Sequence, residues 1–122
     1  MNTTYKSLAE ASPYLIWPGA VARTVNGDRA TLAVIDLDPN LPIAEHQHEN
    51  EQLGIVLKGS ITMTIGGHAK KLMPGDLYVI PSNLRHSAQT HEEGATVIDV
   101  FAPVRADWES KERAEPSQGR WP

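Results

Sequence analysis

Apolar and polar residues alternate along most of the chain or form short apolar runs, which is the pattern of β-strands rather than of helices. The segments AVARTVN and RATLAVIDL, residues 20–26 and 29–37, meet at an Asn-Gly-Asp turn and predict a hairpin. The segment EQLGIVLKGSITMTIGG, residues 51–67, predicts two strands joined near residues 58–59. A further short strand, LYVI, is predicted to end at Pro81.

Two more strands are predicted near the end of the chain, HSAQT at residues 86–90 and ATVIDVF at residues 95–101, on either side of the turn sequence HEEG. About nine or ten short strands with regular turn spacing predict an all-β fold, an antiparallel sandwich or barrel. The only helical pattern is ADWESKERAE at residues 106–115, which is compatible with one short helix or with a frayed tail.

Composition narrows the classes of protein that this chain can belong to. A length of 122 residues predicts one domain over residues 1–122. The chain has no cysteine, which excludes disulfides, zinc–thiolate sites and cysteine nucleophiles. A net charge of −4 argues against a nucleic-acid partner, and no apolar run approaches the roughly 18 residues that span a membrane. Because the first residues also lack the layout of a secretory signal, we expect a cytoplasmic protein.

Histidine spacing gives the first candidate chemistry. His46 and His48 precede an apolar strand and share a face with Gln52 if the segment is extended, although a bulge near residues 49–50 would break this parity. His86 follows a strand that ends in a tight turn, and a hairpin there would return it against the strand of His46 and His48. Three imidazoles and a side-chain oxygen can bind one divalent metal ion. On spacing alone, the alternative is a pair of surface histidines.

Other candidate ligands fit a metal site less well. His68 and His91 lie in predicted hairpin turns, where we expect them to be solvated. Glu51 is predicted to face away from the histidines, where it would form a local salt bridge or orient a histidine from behind. Glu45 and Glu49 are expected to be solvated loop residues.

The segment TVIDVFAPVRADW gives a second set of candidates. Asp99 and Phe101 share one face of the predicted strand, and a carboxylate among apolar residues is costly unless it has a partner or a task. Asp99 therefore either pairs with an arginine, faces solvent at a strand edge, or acts as a general acid or base. Arg105, beyond the end of the strand, is suited to hold a substrate carboxylate, and Phe101 would form a pocket wall or part of the core.

The stretches HQHENEQLGIVLKG and PGDLYVIPSNLRH resemble the two motifs of the cupin superfamily. The resemblance covers roughly residues 17–105 and implies a jelly-roll barrel, also called a double-stranded β-helix, with short terminal extensions and a C-terminal tail at residues 106–122. It also implies a divalent metal ion (Zn, Ni, Mn or Fe) with four protein ligands: His46, His48, Gln52 and His86. Gln52 stands where the motif has Glu, which removes an anionic ligand and makes the metal a stronger Lewis acid. Asn83 replaces a motif glycine, which is a mild change because Asn tolerates left-handed backbone.

A narrower resemblance is to small single-domain cupins of the pectin-degradation type. It rests on Asp-x-Phe-x-x-x-Arg after the last strand and on HQHENEQLGIVLKG before it. It implies conversion of 4,5-unsaturated monouronates to linear 4-deoxy-5-keto-uronates, with Asp99, Phe101 and Arg105 handling an anionic small-molecule substrate. The alternatives are another metal cupin enzyme, such as a polyketide cyclase or an iron dioxygenase, and a non-catalytic small-molecule-binding cupin.

The first of the two strands predicted within residues 51–67 also has an apolar second face, formed by Leu53, Ile55 and Leu57. Such a face packs on another sheet or on a second subunit. We therefore expect a homodimer, with no nucleic-acid or membrane partner.

Overall fold

Eight β-strands, all paired antiparallel, form the computed structural model, which describes residues 5–122. Two short 3₁₀ helices lie outside the sheet, at Leu8–Glu10 and Ala106–Ser110. The strands in chain order are β1 Tyr14–Trp17, β2 Ala20–Asn26, β3 Thr31–Leu37, β4 Pro42–His46, β5 Glu51–Ile65, β6 His68–Leu72, β7 Leu77–Ile80 and β8 His86–Ala102.

The two long strands β5 and β8 pair along their whole length and pass through both layers of the fold. In one layer, the first half of β5 pairs with β7, and the second half of β8 pairs with β3, which continues to β2 and β1. This layer therefore has six strands. The other halves of β5 and β8 join β6 and β4 into a four-stranded layer. The result is a jelly-roll barrel of the cupin type, which confirms the predicted all-β fold class.

Glycine explains why the sequence pattern overestimated the number of strands. The prediction of separate strands meeting near residues 58–59 and at residues 91–94 was wrong, since β5 and β8 are each continuous. Gly59 and Gly94 both have positive φ, at 72° and 69°, and a Cβ on Gly59 would collide with the Gly94 carbonyl. The two strands bend together at this crossing, with local register shifts, and the ladder continues beyond it. Gly59 and Gly94 therefore mark bends within β5 and β8 rather than the ends of strands.

The termini differ from the prediction as well. The predicted helix at residues 106–115 is a five-residue 3₁₀ helix that ends at Ser110. The rest of the tail packs on the outer face of the six-stranded layer, where Ser117 and Arg120 hydrogen-bond the buried ion pair of Arg23 and Asp36. Arg120 also donates to the carbonyl oxygen of Leu37 at 2.8 Å. The tail is therefore an ordered part of the fold rather than a frayed end.

The core lies between the two layers and is lined by alternate residues of every strand of the six-stranded layer. Phe101, Ile61, Ile80, Val56 and Val97 are among its most completely buried side chains. Along residues 5–122, no helix has both the length and the apolar character needed to cross a lipid bilayer.

The outer face of the six-stranded layer is only partly covered. Register places Leu32, Val100, Leu53 and Val79 in one row across four strands, and Val34, Ile98, Ile55 and Leu77 in the next row. We call these two rows the outer apolar face. Leu77 is 76% exposed, Val79 54%, and Leu53 44%, so the apolar face predicted from Leu53 and Ile55 is present and open, whereas Leu57 lies at a register shift of β5 outside the two rows.

Candidate metal centre

Three histidines converge at one end of the barrel. His46 and His86 are register partners on β4 and β8, and His48 lies in the loop that follows β4. Their ring centroids are 4.2 Å apart for His46 and His86, 4.9 Å for His48 and His86, and 5.8 Å for His46 and His48. One nitrogen from each ring lies within 4.8 Å of the other two. The turn after Pro81 does bring His86 beside the strand that carries His46, but the predicted hairpin is wrong, since β7 pairs with β5 and not with β8.

Backbone carbonyls fix the tautomer of all three rings. Nδ1 of His46 lies 2.8 Å from the Ala44 carbonyl oxygen, Nδ1 of His86 lies 2.8 Å from that of Leu84, and Nδ1 of His48 lies 2.9 Å from that of Asn50. A carbonyl oxygen only accepts hydrogen bonds, so each Nδ1 carries the proton and donates it. Each Nε2 then keeps its lone pair, which is the arrangement of metal-binding imidazoles with an outer hydrogen-bond partner.

The Nε2 atoms lack the partners that a buried nitrogen normally has. Among residues 5–122, nothing hydrogen-bonds Nε2 of His86, although the atom is buried. Nε2 of His48 faces Oε1 of Gln52 at 3.2 Å, so that two lone pairs point at each other. The Gln52 amide also lies beside the Asp99 carboxylate, which directs its NH₂ group to Asp99 and its oxygen to the histidines. A divalent cation among these atoms would satisfy all of them, so the donor set fits a metal.

Burial keeps two of the rings neutral. It lowers the pKa of both His48 and His86, and the positive charge of Arg105 lowers the pKa of His48 further. Since only a neutral imidazole offers a lone pair to a metal, these shifts favour metal binding near neutral pH.

Backbone geometry between β4 and β5 decides which side chains meet. Residues 47–50 leave the extended conformation, so the parity break considered for residues 49–50 occurs. Gln52 nevertheless points inward with Gly54 and Val56, because β5 begins at Glu51 and alternates regularly from there. Glu51 is exposed, and within the described part of the chain it forms no ion pair, so the expected salt bridge is not found.

The other two histidines lie elsewhere. His68 is exposed at the start of β6, next to the turn predicted for it. His91 was predicted in a turn but lies within β8, where its Nε2 is 2.9 Å from the Thr62 hydroxyl. Neither belongs to the histidine cluster.

Asp99 lies inside the barrel, beside Gln52 and the histidine cluster, and is 3% exposed. The Tyr78 hydroxyl donates a 2.6 Å hydrogen bond to its carboxylate. Burial raises the pKa of Asp99 to about 6, while the bonds from Tyr78 and Gln52 and the charge of Arg105 hold it down. Of the alternatives drawn from the sequence, solvent exposure is wrong and the direct partner is a tyrosine rather than an arginine. A carboxylate whose pKa is near neutrality can both accept and return a proton.

Gly54 makes room for this pair. It is the register partner of both Tyr78 and Asp99, and a Cβ at Gly54 would collide with each of them. The absent side chain lets the Tyr78 ring cross β5 to reach Asp99.

Phe101 and Arg105 complete the inner wall. The guanidinium of Arg105 lies 4.7 Å from the Phe101 ring centroid and 4.4 Å from that of Trp108, so it packs against both aromatic rings, which contact each other at 5.1 Å. Phe101 also contacts the His48 ring edge-on at 5.9 Å. The side chains predicted from the TVIDVF segment therefore do meet the histidine cluster.

A cavity of about 100 Å³ opens onto these groups. Its polar and charged side chains are those of the histidine cluster and its neighbours, with Ser87: His46, His48, Gln52, His86, Ser87, Asp99 and Arg105. The rest of its wall is largely apolar, which is typical of a small-molecule site with a few placed polar groups.

The family model that describes the cupin domain matches residues 33–101, more than half of the chain. The chain belongs to the cupin family. Among curated relatives, this cupin is 38% identical to the pectin degradation protein KdgF of Dickeya dadantii over 64 residues, which cover 52% of the chain and 58% of that protein. It is 30% identical to H2HPP isomerase of Bacillus subtilis over 94 residues, which cover 73% of the chain and 39% of that protein. The chain thus spans less than two thirds of each of these curated relatives.

Solved cupin structures share the fold closely. An RmlC-like cupin from Shewanella frigidimarina superposes with a TM-score of 0.81 at 22% identity, covering 88% of this chain and 96% of that one. KdgF from Halomonas sp. superposes with a TM-score of 0.79 at 28% identity, covering 87% and 98%. Oxalate decarboxylase of Bacillus subtilis superposes with a TM-score of 0.76 at 25% identity, covering 93% and 33%. The relatives of this cupin therefore include enzymes, and a manganese protein is among them.

Three residues of this site were given no role from the sequence. Tyr78 sits in a strand that reads as plain core, and Trp108, although it resembles the aromatic residue after the arginine in the pectin-degradation cupins, lies in a segment that reads as a helix or tail. Asn50 is buried in the loop after His48, and its side-chain amide donates to the carbonyl oxygens of Pro103 and Val104. These two hydrogen bonds connect the loop that carries His48 to the segment that precedes Arg105. The only signal for Asn50 in the sequence is its place between the two ligand positions His48 and Gln52.

Proposed function

We propose that this cupin is a metal-dependent enzyme that converts 4,5-unsaturated monouronates to linear 4-deoxy-5-keto-uronates. The observation that carries the proposal is a buried carboxylate, Asp99, next to Gln52 and the histidine cluster, in a cavity that also contains an arginine. The site thus combines a place for a Lewis acid, a proton carrier and a cationic group for an acidic sugar. The likeness to the pectin degradation protein of Dickeya dadantii supports the same class of substrate.

The proposed reaction is an isomerisation that moves one proton. The anomeric hydroxyl at C1 loses its proton, the bond between C1 and the ring oxygen breaks, and C4 of the resulting enol gains a proton. The product has an aldehyde at C1 and a ketone at C5, so atoms and electrons balance without an oxidant. A metal held by the three histidines and Gln52 would supply Lewis acidity toward substrate oxygens.

Protein side chains do the remaining work. Asp99 accepts the hydroxyl proton and delivers a proton to C4, which a carboxyl pKa of about 6 allows in both directions. Tyr78 holds the Asp99 carboxylate in place through its 2.6 Å hydrogen bond. Arg105 binds the substrate carboxylate, and Phe101 packs against the sugar ring.

A spectroscopic assay tests the function. The conjugated enol ether of an unsaturated galacturonate absorbs in the ultraviolet, and ring opening removes that absorbance. We expect the metal-loaded protein to remove it much faster than the spontaneous background, in air or under nitrogen. Turnover that requires Fe(II) and O₂ would instead indicate a dioxygenase. No turnover of unsaturated uronates at any metal loading would contradict the proposal and favour another cupin enzyme, such as a polyketide cyclase, or a binding protein.

We propose, in addition, that two copies of the chain pack through the outer apolar face. The face exposes a contiguous set of large apolar side chains, including Leu77, Val79, Leu53 and Leu32, and such a patch marks an interaction surface. Charge favours a second copy, because Glu51 and Lys58 lie at opposite ends of this stretch of β5. A two-fold axis through the face would bring Glu51 of each copy toward Lys58 of the other.

A charge placed on the outer apolar face should separate the two copies. Leu77 is 76% exposed, so Leu77→Lys costs the isolated chain little and puts an unpaired charge in the proposed contact. We expect light scattering after size exclusion to give twice the chain mass for the wild type and the chain mass for Leu77→Lys. Ala69→Lys, on exposed β6 of the other layer, is the matched control and should stay dimeric. A monomeric wild type would refute this proposal.

A further inference from the structure

Arg105 already binds a carboxylate, and it is one from its own chain. Nε of Arg105 donates to Oδ1 of Asp107 at 3.0 Å, and Nη2 donates to Oδ2 at 2.9 Å. This is the two-point geometry in which arginine binds carboxylates most strongly. The edge of Arg105 that would best receive a substrate carboxylate is therefore filled by Asp107.

The two partners of this ion pair differ in how firmly they are held. The Arg105 side chain is 11% exposed, and its guanidinium packs against the rings of both Phe101 and Trp108. The backbone nitrogen of Arg105 also donates to the Thr31 hydroxyl at 2.9 Å. Arg105 thus keeps its place without help from Asp107.

Asp107 has no such support. Its side chain is 60% exposed, and along residues 5–122 no side chain other than Arg105 hydrogen-bonds its carboxylate. Rotation of Asp107 into solvent breaks this ion pair and a hydrogen bond to its own backbone N–H, and water replaces both at the exposed carboxylate. Asp107 can leave while the guanidinium stays where it is.

We propose that Asp107 is an internal competitor for the substrate carboxylate, which must displace it from Arg105 to bind. This inference rests on the proposed function in one respect, that the ligand is a monocarboxylate sugar. While Asp107 occupies the Arg105 guanidinium, other anions must compete with it. A ligand displaces Asp107 only if further contacts in the cavity add to the affinity of the ligand. Asp107 thereby lowers the affinity of every anion for Arg105, so that a carboxylate without further contacts in the barrel stays unbound.

Binding of a saturated uronate tests this directly, because it requires no turnover. In the metal-loaded full chain, Asp107→Asn keeps the shape of the side chain but removes the competing charge. We expect calorimetry to show that Asp107→Asn binds galacturonate about 3- to 10-fold more tightly than the wild type does, because the ligand no longer has to displace a carboxylate from Arg105. The KM for an unsaturated uronate should fall by a similar factor, and the affinity for neutral galactose should not change.

Glu109→Gln is the matched control. Glu109 lies on the same 3₁₀ helix, is exposed, and forms no ion pair in the described part of the chain, so the same change of charge should leave galacturonate affinity unaltered. Unchanged or weaker galacturonate binding by Asp107→Asn would overturn the inference and make Asp107 a group that positions Arg105. An equal gain in Glu109→Gln would overturn it too, because the effect would then be general electrostatics. Failure of the proposed function has a different signature, namely no turnover of unsaturated uronate by the wild type.

Discussion

His48→Ala should lower the affinity for a divalent metal by more than about 100-fold and remove activity with it. Loss of even an outer hydrogen-bond partner of a metal ligand costs 10- to 100-fold in affinity, and a direct ligand contributes more. His48 also bridges the cluster, since its Nε2 faces Gln52 and its ring packs 4.9 Å from that of His86. The measurement is metal content by elemental analysis, with affinity by competition against a chelating indicator.

His68→Ala provides the control for this experiment. His68 is exposed on β6, outside the cluster, and the substitution is chemically identical. Metal content, affinity and activity should match those of the wild type. Because His48 is only half-buried, its removal should leave the fold intact, and a circular dichroism spectrum checks this. Normal metal content in His48→Ala would show that the ion binds elsewhere.

Asp99→Asn should reduce turnover by about 10³-fold while leaving metal content normal. The amide has the shape of the carboxylate and can still accept the Tyr78 hydrogen bond, but it cannot carry a proton, and general acid–base groups contribute roughly 10²–10⁴-fold to rate. A neutral amide is also less costly to bury than a carboxylate, so we expect no loss of stability. Steady-state kinetics and elemental analysis of the same preparation measure both quantities.

Two further variants sharpen the result for Asp99. Asp28→Asn makes the same change in the exposed turn between β2 and β3 and should have no effect on turnover. Tyr78→Phe removes only the hydroxyl that holds Asp99 and should give a smaller loss, in kcat rather than in metal content. Full turnover by Asp99→Asn would reject Asp99 as the proton carrier.

Sequence patterns predicted the parts of the fold and the site that depend on local periodicity. Strand alternation correctly placed Gln52 and Val56 on one side of β5 and Leu53 on the other, because each register step reverses the side chain. The same rule placed Asp99 and Phe101 together on the inner face of β8. Histidine spacing left surface residues as an alternative, and the resemblance to the cupin motifs predicted the cluster, in which one nitrogen of each ring lies within 4.8 Å of the other two.

The features that the sequence did not predict arise from contacts between distant residues or from backbone bends. Tyr78 and Asp99 are 21 residues apart and meet only because β5, with Gly54, lies between their strands. Gly59 and Gly94 read as turns but allow two strands to bend together, which no local pattern distinguishes from a strand end. The capture of Arg105 by Asp107 depends on a 3₁₀ helix, whose three-residue period the helical pattern of this segment does not reveal.

Diffraction from crystals of the wild type at the absorption edge of the bound metal tests the metal centre most directly. We predict one anomalous peak per chain, within coordination distance of Nε2 of His46, His48 and His86 and beside Oε1 of Gln52. Each Nδ1 should remain bonded to its backbone carbonyl. A peak at any other place, coordination through Nδ1, or no peak in crystals grown with saturating divalent metal would contradict the account.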